Sequence, residues 1–172
     1  STGKPKGVAV THRAIVNQID WMLHEFAMTS EDVYFQKTAT TFDVSLWGFF
    51  MPLSVGAKLV LATPDGHRDP IYLSEVIARE KVTITDFVPS MLTVFAAHAA
   101  AESCSTLREI FVIGEALPPE TVDGVRRISA AGIDNLYGPT EAAVAATFWQ
   151  APSEGSVDVV PIGEPEWNVQ VY

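Results

Sequence analysis

Arg108-Glu109-Ile110-Phe111-Val112-Ile113-Gly114-Glu115-Ala116-Leu117-Pro118 reads as a β-branched and aromatic strand over 108–113 that ends in a tight turn. Gly114 stands at the tight position, and Pro118 lies where a helix would start. A helix to about Ala131 and a strand over 133–136 complete a strand–helix–strand unit. The same alternation extends upstream. A strand at 33–37, a helix over 44–54 that stops before Gly56 and a strand over 58–62 come first. After the turn-rich stretch 64–70, a helix over 71–80 precedes the β-branched run Val82-Thr83-Ile84-Thr85. A helix over 90–101, with Ser90 as its cap, leads through the loop around Cys104 to strand 108–113. The pattern predicts an α/β fold: a mostly parallel sheet with crossover helices and ligands at the carboxyl ends of its strands. At the front, Val8-Ala9-Val10 reads as a strand, followed by a helix capped by Thr11 with Ile15, Ile19, Met22, Leu23 and Phe26 on one face. The tail 152–172 reads as the start of a strand-rich portion.

The loop after strand 133–136 is Asn135-Leu136-Tyr137-Gly138-Pro139-Thr140-Glu141. Pro139 fixes its own φ, and Gly138 allows another group to approach the backbone. From such a loop Tyr137 offers an aromatic face, Asn135 and Thr140 hydrogen-bonding groups, and Glu141 a hard carboxylate suited to Mg²⁺. A nucleotide with its metal would use all four, and a plain Gly-Pro turn between strands would produce the same residues.

Composition narrows the classes. The 172 residues are 48% hydrophobic and 19% charged, enough for one well-cored domain or a piece of a larger one. Eleven Lys+Arg against 21 Asp+Glu give a net charge of -10, which argues against broad contact with nucleic acid or an anionic membrane. A mean hydropathy of +0.18 without an apolar run of membrane-spanning length reflects a core. The single cysteine, Cys104, precludes an intramolecular disulfide and fits a reducing, cytoplasmic setting, as a small buried or half-buried side chain. His12 and His24 lack metal-ligand spacing.

Three further stretches carry polar chemistry. Ser1-Thr2-Gly3-Lys4-Pro5-Lys6-Gly7 places hydroxyls, glycines and lysines before an apolar segment, a composition that suits phosphate and equally a solvated basic turn. Thr41-Phe42-Asp43-Val44-Ser45-Leu46-Trp47 puts Asp43 at a helix N-cap with Trp47 one turn later, on one face. Such a pair would suit a small cation or zwitterion, or else cap and pack a helix. Asp86 falls at the carboxyl end of the strand beginning at Val82, where a turn aspartate and a ligand-facing one are both accommodated.

Read together and in this order, STGKPKG, FDVSLW, GEALP, NLYGPTE and PIGEPEWNVQVY resemble the core motifs of the AMP-forming adenylate superfamily. FDVSLW followed by GEALP is most similar to the amino-acid-activating adenylation domains of nonribosomal peptide synthetases. The resemblance implies a large-subdomain α/β fold, with residues 1–172 a partial adenylation domain truncated at both ends. It further implies that the chain alone supports no substantial amino-acid-dependent ATP–pyrophosphate exchange. By the same resemblance Ser1, Thr2, Gly3 and Lys6 would face ATP phosphates. Gly114, Glu115 and Ala116 would line adenine, Asn135 would bond it and Tyr137 would stack on it. Thr140 would meet the α-phosphate and Glu141 would hold Mg²⁺. Asp43 would pair with the substrate α-ammonium, which an acyl- or aryl-acid ligase has no need to neutralise. The implied reaction gives aminoacyl-AMP and pyrophosphate, then loads the phosphopantetheine thiol of a carrier protein, alongside condensation domains of the same assembly. Other adenylate-forming acyl- or aryl-acid ligases and a non-catalytic nucleotide-binding module are the rival classes.

The resemblance also implies an amino-acid pocket of Asp43, Val44, Trp47, Asp86, Phe111, Ile113, Leu136, Val144 and Ala145. A second carboxylate, Asp86, is costly to bury unpaired. It therefore calls for a hydroxylated or cationic substrate side chain, or for its own protonation.

Overall fold

The computed structural model describes Gly3 and residues 7–172. Its elements run α1 (His12–Glu25), β1 (Val33–Gln36), α2 (Ser45–Val55), β2 (Lys58–Leu61), α3 (Pro70–Glu80), β3 (Ile84–Phe87), α4 (Pro89–His98), β4 (Glu109–Val112), α5 (Pro119–Arg126), β5 (Gly132–Tyr137), β6 (Thr147–Gln150) and β7 (Glu164–Pro165). Short 3₁₀ turns occupy Gly66–Arg68, Ala101–Cys104 and Thr140–Ala142. Among the described residues the strands form one sheet in the order β2-β1-β3-β4-β5-β6-β7. The first five in that order are parallel, and β6 and β7 run antiparallel. The expected mostly parallel α/β architecture is present.

Strand alternation sorts the core onto two faces. On one, Phe35, Phe87, Ile110, Val112 and Ile133 meet Leu73, Leu92 and Val122 of α3, α4 and α5. On the other, Tyr34, Ile84, Phe111 and Leu136 meet Trp21 and Met22 of α1 and Trp47 and Met51 of α2. The chain therefore passes from β1 outward to β2, then crosses to the other face and returns through β3. That reversal puts a topological switch point between β1 and β3, where the carboxyl ends of the strands open a crevice.

Local chemistry sets the helix ends. Thr11 Oγ1 accepts from the Ala14 amide at 3.2 Å, as expected of a cap. Asp69 Oδ1 accepts from the Ile71 and Tyr72 amides at 2.9 and 3.3 Å, with Pro70 in the first position of α3. Gly56, at φ +75°, closes α2. At the opposite end of the sheet from the crevice, Arg108 donates from Nε and Nη2 to the two oxygens of buried Asp32 at 2.8 and 3.0 Å. Its Nη1 also donates to the Phe26 carbonyl at 2.8 Å, tying the end of α1 to β4.

Several expectations need correction. Val8-Ala9-Val10 is not a strand; among the described residues no neighbour pairs with it, and Val8 and Val10 instead line a cavity beside α1. Ser90 is not a cap, because α4 begins with Pro89, and the Ser90 amide donates to Glu115 Oε2 at 3.1 Å. Helix α4 stops at His98 rather than 101, as extended Ala99 breaks it before the 3₁₀ turn. α5 stops at Arg126. The tail contributes only the two-residue β7. Cys104 is fully buried, and burial pushes its thiol up to about 11.

Candidate functional site

The carboxyl ends of β1, β3, β4 and β5 converge on a central cavity of about 550 Å³ that includes Asp43, Val44, Asp86, Ile113, Thr140 and Val144 in its walls. Gly114, Glu115 and Gly138 connect it to a neighbouring cavity of about 400 Å³ that also holds Ala116, Asn135 and Tyr137. On the other side, Phe42, Asp43, Thr140 and Val144 are shared with a cavity of about 510 Å³ reaching Val8 and Val10. The three are therefore contiguous. A single cleft crosses the sheet edge from the Gly114–Tyr137 side, past Thr140, towards the end of the STGKPKG segment. Ser1, Thr2 and Lys6 lie outside the described residues, and Gly3 is exposed.

The Gly114 turn and residues Asn135–Gly138 both line the cavity of about 400 Å³. Gly114 sits at φ +104°, a conformation that favours glycine. Tyr137 is 54% exposed, leaving its ring available for stacking. Asn135 is buried, and its Nδ2 donates to the Pro161 carbonyl at 2.8 Å, so its amide is oriented by the tail. A Cβ on Gly138 would stand 2.6 Å from Ala145 Cα. The close approach that this glycine permits is thus of the chain's own returning backbone, which folds the loop over itself.

Glu141 is exposed on the 3₁₀ turn Thr140–Ala142, and Thr140 is half-buried behind it. Among the described residues no group of three or more His, Cys, Asp or Glu side chains could hold a metal. One exposed carboxylate fits the way Mg²⁺ commonly binds, through one or two carboxylates together with substrate phosphates and water. The turn ends in two residues of positive φ, Ala143 at 63° and Val144 at 84°. For a β-branched side chain this is a strained backbone, and Val144 lies in two of the three cavities.

The predicted amino-acid pocket is only partly assembled as expected. Asp43 is half-buried in the central cavity, but it does not cap α2 from the N-cap position: helical Val44 intervenes, and its amide donates to Asp43 Oδ1 at 2.9 Å. Trp47 is fully buried behind the cavity wall, its ring 5.9 Å from Phe111 in an edge-on contact. Phe111 packs behind Ile113 and Val144 in the same cluster. Leu136 lines the cavity that holds Gly114 and Tyr137, and Ala145 lines a separate cavity beside α1.

Asp86 is buried but not unpaired. Tyr34 Oη donates to its Oδ1 at 3.1 Å, and Thr38 Oγ1 donates to its Oδ2. The premise that Asp86 is buried unpaired therefore fails. Sequence reasoning also missed Lys37, whose amine donates to the Asp86 backbone carbonyl and lies over the Phe87 ring. Lys37 and Thr38 directly follow the last residue of β1, and that position at a strand's carboxyl end was the available signal.

Over residues 1–172 the chain matches the family described as AMP-binding enzyme. It belongs to that family. Enterobactin synthase component F of Escherichia coli (strain K12) is 48% identical over 176 residues, which cover 98% of this chain and 14% of the relative. Tyrocidine synthase 3 of Brevibacillus parabrevis is 44% identical over 172 residues, covering 100% of this chain and 3% of the relative. The chain thus spans only a small part of the curated relatives it matches. Among solved structures, the Vibrio cholerae adenylation domain AlmE in complex with glycyl-adenosine-5'-phosphate superimposes with a TM-score of 0.85 at 28% identity, covering 95% of this chain and 31% of that one. The nonribosomal peptide synthetase FmoA3 gives 0.86 at 27% identity, covering 95% and 18%. The sheet and its flanking helices are therefore those of an AMP-binding enzyme, and the cleft lies where that fold converges. No helix among the described residues is long and apolar enough to cross a membrane.

Proposed function

We propose that this chain forms the substrate-binding core of an adenylation domain that joins an amino acid to AMP. The single observation that carries the reading is the continuity of the cleft: Asp43, a carboxylate suited to an ammonium, and Thr140, at the start of the Glu141 turn, border the same two cavities. The central one opens directly onto the Gly114–Tyr137 cavity. The similarity to synthetases of enterobactin and tyrocidine and to an adenylation domain holding glycyl-adenosine-5'-phosphate supports it.

In this reading, adenine packs between the Gly114–Ala116 turn and the exposed Tyr137 ring, beside Asn135. The amino acid is placed by its α-ammonium at Asp43. A substrate carboxylate oxygen attacks the ATP α-phosphorus, forming the acyl-phosphate bond as the bond to pyrophosphate breaks. The chain's contribution is to align these groups, with Thr140 beside the α-phosphate and Ser1, Thr2, Gly3 and Lys6 at the outer phosphates. Glu141 would hold Mg²⁺, which neutralises phosphate charge when bound. The aminoacyl group then passes to a phosphopantetheine thiol on a carrier protein, the thioester forming as the acyl-phosphate bond breaks and AMP leaves, and the thioester serves condensation domains in a cytoplasmic assembly.

Amino-acid-dependent exchange of labelled pyrophosphate into ATP by the full-length protein tests this. Exchange is expected with an amino acid and not with its deaminated analogue, and Asp43→Asn lowers kcat/KM for the amino acid by about a hundredfold or more, as loss of a charge-assisted contact requires. Equal exchange with the deaminated acid, unaffected by Asp43→Asn, would refute it.

A further inference from the structure

Lys37 is a cation in the central cavity that the sequence motifs do not include. It shares that cavity with Asp43, Asp86 and Thr140. Its amine stands 3.8 Å from the centroid of the Phe87 ring and donates to the Asp86 carbonyl. None of the ion pairs among the described residues involves it. The nearby Asp86 carboxylate is instead occupied by the Tyr34 and Thr38 hydroxyls. An ammonium has three donor hydrogens, and one carbonyl and one aromatic face leave donor capacity unspent. Burial, partly opposed by the negative charge of Asp86, pulls the Lys37 amine below the usual lysine range, as befits a half-desolvated cation.

Sheet order decides which part of a ligand Lys37 can meet. It follows β1, at the switch point beside β3, whereas Thr140 follows β5. Three strand spacings separate β1 from β5, about 14 Å at the usual inter-strand distance. Asp43 and Thr140 also border the flanking cavity, and Lys37 does not. A substrate whose ammonium lies at Asp43 and whose carboxylate lies at Thr140 occupies the part of the cleft common to both cavities, and the rest of the central cavity, where Lys37 lies, is the space left for its side chain.

Building on the amino-acid-activation reading above, we propose that Lys37 is a specificity-determining residue that donates a hydrogen bond to an oxygen on the substrate side chain. The pocket then selects amino acids with a hydroxyl, amide or carboxylate in the side chain and rejects cationic ones. The Tyr34–Asp86–Thr38 hydrogen bonds hold the β3 end against which Lys37 is set, so Asp86 positions the donor rather than binding the ligand. The cationic substrates that an unpaired Asp86 would have favoured are excluded by the same arrangement.

The test is pyrophosphate exchange by the full-length protein with size-matched pairs: serine against alanine, threonine against valine, and glutamine against ornithine. In at least one pair the oxygen-bearing member should be preferred in kcat/KM by about tenfold or more, because an apolar or cationic partner leaves a buried donor unmatched. Lys37→Met should bring that preference to within about twofold while changing the apolar member by less than about threefold, and Lys37→Arg should retain it. Circular dichroism and thermal melting establish that the variants fold. If Lys37→Met misfolds, the Lys37→Arg and wild-type selectivities still decide, since wild-type protein that prefers the oxygen-bearing member in none of the three pairs overturns the proposal. So does an unchanged preference in Lys37→Met, or a uniform loss across all six substrates, which would place Lys37 at the α-carboxylate or in the scaffold. Absence of exchange with every amino acid overturns the activity reading and this proposal together, whereas exchange confined to apolar side chains overturns this one alone.

Discussion

Replacing Asp134 by asparagine should stabilise the fold at alkaline pH and leave it little changed in mild acid. Asp134 lies in β5 with no exposed surface, and neither carboxyl oxygen has a hydrogen-bond partner of normal geometry among the described residues. Burial, reinforced by the neighbouring Glu109 carboxylate, pushes its carboxyl from 3.8 up to about 8. Burial likewise raises Glu109, which contributes another unpartnered oxygen. A raised carboxyl means that the folded state binds its proton more tightly than the unfolded chain. The associated stability is fully present below the unfolded value, near 3.8, and is lost as pH rises through about 8. A shift of about 4 units corresponds to a ceiling of roughly 6 kcal/mol. Sharing of one proton with Glu109 and interior polarisability reduce this to about 3 kcal/mol. For a domain of this size that amounts to a gain in Tm of about 6–12 °C. Thermal melts of wild-type and Asp134→Asn protein at about pH 5 and about pH 9 provide the comparison. The difference should be within about 2 °C at the lower pH and reach the stated range at the higher one. A pH-independent difference, or greater stability of the wild type at alkaline pH, refutes the account of a buried carboxyl that keeps its proton.

Arg108→Ala should destabilise by about 3–5 kcal/mol by stranding buried Asp32. Although burial opposes it, the hydrogen bonds and charge of Arg108, with the Thr29 and Thr83 hydrogen bonds, hold the Asp32 carboxyl below its ordinary value, so denaturant titrations should show the penalty shrinking as pH falls through that range. Gly138→Ala forces a Cβ to 2.6 Å from Ala145 Cα; it should displace the Tyr137–Glu141 loop and raise KM for ATP by about tenfold or more, seen in exchange kinetics. Glu115→Ala removes the acceptor of the Ser90 amide at the start of α4 and should cost about 1 kcal/mol in chemical unfolding.

Much of the architecture was legible because periodicity and punctuation agree. The run Glu109–Val112, the positive-φ Gly114 and the helix beginning at Pro119 each carry a local reason for their conformation. Motif order also exposed the Asn135–Glu141 loop and Asp43. What could not be read from the chain depends on contacts distant in sequence. Asp86 looks like an unpaired carboxylate in its own segment, and only the pairing of β1 with β3 delivers Tyr34 and Thr38, 52 and 48 positions away. Val8–Val10 has strand composition but no partner strand among the described residues, and composition cannot supply one. Helical spacing places Trp47 on one face with Asp43, yet α2 begins after Asp43, and the indole turns into the cluster with Phe111.

Two aspartates in one sheet show why position along a strand matters more than residue type. Asp86 is next to the end of β3, and Asp134 is third in β5. Near the carboxyl edge, the β1 strand supplies a phenol and Thr38, two residues past its end, supplies a hydroxyl, so Asp86 is buried with both oxygens matched. In the body of the sheet the neighbours of Asp134 include apolar Phe111 and acidic Glu109, so the cost of burial falls on the carboxyl itself. At the switch point the partners are local: two hydroxyls meet the Asp86 carboxylate and the Asp86 carbonyl meets the Lys37 amine, which offsets part of the cost of burying them. A substrate side chain entering there meets an already hydrogen-bonded polar network, and its fit is decided by whether it accepts from Lys37 rather than by whether it neutralises Asp86.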